Sequence, residues 1–187
     1  MAHVRSLVTS SIAFTLFVSV ASVVIAGHAQ RASASPLRRC EETQLDVNWT
    51  PDGAGLGHVA DLIVFTNISA NACSLSGYPA VRMSGSAKAS ALLVARDTLN
   101  GYLGGLARGT ARSLPVVKLS AHGGVASSMV EGDDNPVGSA LSCLEFSKVS
   151  VRIPHLSPPY RFTIKFPGCV RPQTHPIVKG PSGNSSA

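Results

Sequence analysis

The sequence predicts one all-β domain, an immunoglobulin-like antiparallel β-sandwich of seven to eight strands with two disulfides. Three observations lead there. Short apolar or alternating stretches are separated by Gly, Pro and Asn clusters, and none shows sustained helical periodicity. Four cysteines, Cys40, Cys73, Cys143 and Cys169, follow an N-terminal export signal, where an even count reads as a disulfide framework. Without the signal about 150 residues remain, enough for one core.

The export signal rests on charge and length. Arg5 is the only Lys, Arg, Asp or Glu in the first thirty residues, and an apolar stretch follows from Ile12 to Ala26. That run suits a secretory signal and falls short of the roughly 20 apolar residues of a membrane span. Small-x-small sites end at Ala29 and Ala34. Cleavage after Ala34 is the adopted expectation; cleavage after Ala29 or an uncleaved anchor are the alternatives. Cys40 lacks the small preceding residues that a lipoprotein signal needs, since Leu37-Arg38-Arg39 stand there. The predicted organisation is signal 1–34, short linker 35–39, sandwich 40–171 and a flexible Pro/Ser-rich tail 172–187. Nothing in the mature chain is apolar and long enough to span a bilayer.

The strands can be taken in order. Leu45, Val47 and Trp49 alternate with polar residues, as in a half-buried strand. Pro51-Asp52-Gly53-Ala54-Gly55 reads as a turn. Val59 to Thr66 is dense and β-branched, which suits a central strand covered on both faces. Tyr78 to Met83 follows, with Pro79 marking an edge or a strand start. Ala89 to Ala95 reads as a strand or a short helix. Val116 to Leu119, Val125 to Val130, Lys148 to Ile153 and Arg161 to Phe166 complete the set. His122-Gly123-Gly124 is expected to join two of them as a hairpin.

The cysteines fall at strand boundaries. Four cysteines allow three connectivities, and the sequence does not choose among them. The adopted expectation is Cys40–Cys73 and Cys143–Cys169. Each would close a loop of about 25–35 residues, contributing roughly 3–4 kcal/mol by the chain-entropy argument.

Composition narrows function by exclusion. The net charge of +6 falls to +4 once Arg5 and Arg31 leave with the signal. The remaining basic residues are scattered: Arg38, Arg39, Arg82, Lys88, Arg96, Arg108, Arg112 and Lys118 among them. Nucleic-acid binders cluster such residues with aromatics, so no nucleic-acid partner is expected. The mature histidines His58, His122, His155 and His175 show no metal-ligand spacing, and no Cys-x-x-Cys or Gly-x-Ser-x-Gly occurs. Glu131, Asp133 and Asp134 form the acidic cluster of note but lack the alternating oxygen ligands of a calcium loop. No catalytic, cofactor-binding or metal-ligating residue is therefore nominated. Asp97 to Ser113 is a long Gly-rich loop. Its Tyr102, Leu103, Leu106, Arg108 and Arg112 are the candidate contact residues for a partner, an envelope protein or a cell-wall glycan. An apolar or aromatic patch near Tyr160 is the second candidate.

Specific residues also carry a family resemblance. Phe65-Thr66-Asn67-Ile68-Ser69 is followed by Ala72-Cys73-Ser74-Leu75-Ser76-Gly77-Tyr78-Pro79-Ala80-Val81. This block resembles the actinobacterial secreted domain-of-unknown-function family numbered 4232, whose hallmark is Cys-x-Leu-x-Gly-Tyr-Pro. Pro115 to Leu119 with His122 to Ala126 look like its middle hairpin. Cys143, Val149 to Val151 and Ile153-Pro154 look like its third cysteine and strand, and Cys169 with His175 to Val178 like its ending. Val130-Glu131 stands where the family often has a Trp, and the loop from Gly101 to Gly109 is longer than expected. The resemblance implies a β-sandwich and an envelope location; it supplies no catalytic residue. Asn67, Gly77 and Tyr78 then read as structural: a side chain bonding local backbone, a positive φ, and a tyrosine whose hydroxyl ties to backbone. The expected function is a non-catalytic secreted or envelope binding module. The alternatives are a hydrolase of envelope material and a ligand-free spacer.

Overall fold

The computed structural model of the chain describes residues 37–85, 92–109, 113–136 and 143–185. The export signal and Arg112 lie outside them. After a single 3-10 turn, Glu42–Gln44, the chain forms twelve strands among the described residues. These are β1 (Leu45–Gly55), β2 (His58–Asn67), β3 (Cys73–Ser76), β4 (Ala80–Ser84), β5 (Leu93–Val94), β6 (Arg96–Asp97), β7 (Val116–Leu119), β8 (Gly124–Asp133), β9 (Leu144–Arg152), β10 (Tyr160–Gly168), β11 (Gln173–Thr174) and β12 (Val178–Lys179). One sheet runs β1-β2-β8-β11-β6, with β12 also on β8; a second runs β10-β9-β4-β5; β3 and β7 form a short third. All pairings between these strands are antiparallel except β11 with β6.

The all-β prediction holds. The dense run read as a central strand is β2, paired with β1 on one side and β8 on the other. Ile63 and Phe65 are fully buried in the main core with Val81, Phe146, Val149, Val151, Phe166 and Ile177. A smaller cluster, Ala60, Leu62 and Met129, packs with Val64 and Leu103. Alternation explains the division: Leu62 and Val64 project from one side of β2, Ile63 and Phe65 from the other. The disulfides join Cys40 to Cys73 and Cys143 to Cys169, as expected.

Three local expectations need correcting. The Pro51–Gly55 cluster is not the turn; β1 continues through it with a register shift between Pro51 and Gly53. The turn falls at Leu56-Gly57, both at positive φ (55° and 86°). His122-Gly123 does turn the chain, with His122 at φ 53°, but the flanking strands do not pair. β7 pairs with β3 and β8 with β2, so the turn carries the chain between sheets rather than closing a hairpin.

The third correction concerns the expected tail. From Pro172 the chain is structured: β11 and β12 both add to β8, and Thr174, His175, Ile177 and Val178 are buried. Gly183 donates its N–H to Ser127 Oγ at 2.8 Å, and Gly105 pairs in a parallel bridge with Asn184. The Pro/Ser/Gly composition suited short bridges and turns instead of a linker, because two-residue strands carry no periodicity to read.

Candidate functional site

Glu131, Asp133, His58 and His175 converge at the end of β8. Glu131 and Asp133, two residues apart on the strand, share a face, and both line one recess. Glu131 is buried, at 4 % exposure. Its Oε1 accepts N–H bonds from Leu103 at 2.7 Å and Gly104 at 2.5 Å, and its Oε2 accepts one from Tyr102 at 2.9 Å. His175, fully buried, places Nε2 3.2 Å from Oε1, close enough for an ion pair but off the line of a hydrogen bond. The other ring nitrogen, Nδ1, lies 3.2 Å from both the hydroxyl and the carbonyl oxygen of Thr98. Burial pushes the Glu131 carboxyl up, but the His175 contact and the backbone N–H groups outweigh it and hold the group below its usual value.

The Gly-rich loop follows from this arrangement. A Cβ on Gly101 would collide with the Glu131 carboxylate, and one on Gly104 with Met129. Glycine lets the backbone approach until its N–H groups reach the carboxylate oxygens. The loop is further tied by Gly101 N–H to Gly104 O at 2.8 Å, Leu106 N–H to Leu99 O at 2.8 Å and Gly105 N–H to Gly183 O at 3.0 Å.

Above Glu131, the His58 Nδ1–H donates to Asp133 Oδ1 at 2.6 Å, and its ring stacks on Tyr102 with centroids 4.2 Å apart. These residues and Arg171 line a recess of about 70 Å³. A His–Asp pair orients an imidazole, which is one part of a hydrolytic triad. Among the described residues no serine or cysteine hydrogen-bonds the other nitrogen of His58. No group of His, Cys, Asp and Glu among them is arranged to hold a metal ion.

The predicted contact residues separate. Tyr102 is 54 % exposed, and Arg108 is exposed. Leu106 is buried at 7 %, and Leu103 packs on the Leu62–Met129 cluster, so neither presents an apolar patch. Arg112 lies outside the described residues. Tyr160 is half-buried against the core, with its hydroxyl buried and unbonded among the described residues, so the second candidate patch is not exposed either. Burial raises the Tyr160 hydroxyl above its usual value, with Glu42 and Asp46 adding to the effect.

The family-motif residues are structural in the ways expected, with one exception. Asn67 is fully buried; its Oδ1 accepts from Ser69 N–H at 3.0 Å, and its Nδ2 donates to the carbonyls of Asn71 at 2.8 Å and Ser120 at 3.0 Å. Gly77 has φ 95°. The exception is Tyr78, which is half-buried and whose hydroxyl makes no hydrogen bond among the described residues.

The Glu131–His175 partnership is not legible in the sequence, where Glu131 reads as one of an acidic cluster and His175 as one of four histidines without metal-ligand spacing. Their pairing spans 44 positions and depends on β11 joining β8. The available signal was the Gly-rich loop itself, since Gly101, Gly104 and Gly105 imply close backbone packing against something.

The fold and these contacts define a disulfide-tied all-β domain whose convergent polar groups anchor its own loop. Residues 40–173 match the family described as domain of unknown function (DUF4232), and the chain belongs to that family. Neither the curated proteins nor the solved structures gave a match.

Proposed function

We propose that this protein is an exported, non-catalytic binding module of the cell envelope or extracellular space. The observation that carries this reading is how the convergent titratable groups are used. Glu131 and His175 are committed to backbone and to each other, and His58 and Asp133 to each other, around a recess of about 70 Å³. Substrate sites ordinarily enclose about 300–1,000 Å³. Recognition by such a domain takes place on its open surfaces, including the exposed Tyr102 and Arg108. Two disulfides suit an oxidising compartment, and no helix among the described residues is long and apolar enough to cross a membrane.

The test is capture from a solubilised envelope fraction by the immobilised, oxidised mature domain. Material retained by the folded domain, absent from a reduced and unfolded control and released unaltered in mass, supports the module. Progressive cleavage of the retained material would establish the hydrolase reading instead. Equal retention on both matrices would leave the spacer reading.

A further inference from the structure

Strand register brings four basic residues of the chain, Arg82, Lys148, Arg152 and Arg161, to one sheet face. On the outer face of the β10-β9-β4-β5 sheet, Arg82 of β4 and Arg161 of β10 both lie opposite Ser150 of β9. On the next rung, Ser84 and Thr163 both lie opposite Lys148. Directly opposed residues project to the same face. The alternating burial of β4 confirms the side: Val81 and Met83 face the core while Arg82 is exposed. Arg152, opposite Ala80, adds a fourth cation one rung further on.

None of these four cations forms an ion pair among the described residues. Glu145 is the one carboxylate on the four strands, and it lies opposite Pro167, beyond the register shift in β10. The six residues of the two rungs, Arg82, Ser84, Lys148, Ser150, Arg161 and Thr163, all line a shallow groove of about 270 Å³. Strands lie about 4.8 Å apart and same-face residues about 6.7 Å apart, so cations and hydroxyls alternate across the face on that grid.

We infer that this face docks a linear acidic polysaccharide. The inference rests on the domain being a binding module. Guanidinium forks match carboxylates in bidentate geometry, and the hydroxyls between them can donate to and accept from sugar hydroxyls. Leu92 borders the groove, and Val94 ends the Arg82 rung, offering apolar surface to the C–H face of a sugar ring. A nucleic-acid strand fits less well, because it would want exposed aromatic rings for base stacking. Phe162, between the two rungs, turns inward, its ring 6.4 Å from Trp49. A bilayer fits less well too, because in the two rungs β4 and β9 present only Arg82, Ser84, Lys148 and Ser150.

The test uses the oxidised mature protein on immobilised polygalacturonate, with neutral dextran and anionic phosphatidylglycerol vesicles in parallel. The expected result is salt-sensitive retention by polygalacturonate and none by dextran. Arg82→Gln with Arg161→Gln should weaken it by about tenfold or more, as loss of charge-assisted hydrogen bonds does. Arg38→Gln with Arg39→Gln, which removes the same charge elsewhere, should leave it within about twofold if the effect is local. Lys148→Gln with Arg152→Gln is an independent second pair should the first fail to fold. Equal losses in the Arg82/Arg161 and Arg38/Arg39 pairs would overturn the inference in favour of net charge. Retention by vesicles alone would overturn it in favour of lipid. Failure to bind polygalacturonate while the envelope fraction is still captured would overturn it and leave the binding module standing.

Discussion

Replacing Glu131 by Gln keeps the side-chain shape and removes the charge that Tyr102, Leu103, Gly104 and His175 face. Breaking a buried, hydrogen-bonded charge of this kind costs about 2–4 kcal/mol, and thermal or urea unfolding measures it. The pH dependence has a definite sign. The Glu131 carboxyl is held below its usual value of 4.5, so its contribution is present above that pH and lost as pH falls through the folded-state value. The Glu131→Gln variant should lack that part of the acid sensitivity. Asp61 behaves oppositely. Burial raises it from 3.8 to about 6, although Trp49 Nε1–H donates to its Oδ2 at 2.5 Å, and Asp52 adds to the rise. The ionised form therefore destabilises the fold fully above pH 6 and not below about pH 4. Asp61→Asn should stabilise by about 1–2 kcal/mol at pH 7.5, after allowance for solvent screening, and give no gain at pH 4.

The loop from Leu99 to Ala107 and the segment from Gln173 to Ser185 act as one cover over β8. Their backbone bonds to Glu131 and to each other predict slow hydrogen exchange at the amides of Tyr102, Leu103 and Gly104. Exchange as fast as in the Leu56-Gly57 turn would contradict the anchoring. Truncation after Arg171 should abolish cooperative unfolding, because it removes the buried His175, Ile177 and Val178; near-UV dichroism checks it. β2, β7 and the longer strands were legible because period and β-branching are local properties. The pairing of β7 with β3, the docking of β11 and β12, and the Glu131–His175 contact were not. Each depends on which distant segments meet, and two-residue strands leave no pattern. The cysteine pairing, which the sequence does not choose, brackets β1 and β2 with one disulfide and β9 and β10 with the other.

The domain as a whole joins two disulfides, a core buried between sheets, and an outer face whose four cations form no ion pair among the described residues. Reduction should lower stability by roughly 3–4 kcal/mol for each bridge on the chain-entropy argument, read as a shift of the urea midpoint. Arg82, Lys148, Arg152 and Arg161 occupy the β4–β9–β10 face, whereas Arg38 and Arg39 stand in sequence beside Glu41 and Glu42 ahead of β1. The most direct measurement is an amide chemical-shift titration of the isotope-labelled, oxidised mature domain with a galacturonate oligosaccharide. The account predicts saturable shifts confined to β4, β9 and β10 around Arg82, Ser150 and Arg161. Shifts centred on the His58–Tyr102 recess, or spread without saturation over the surface, would contradict it.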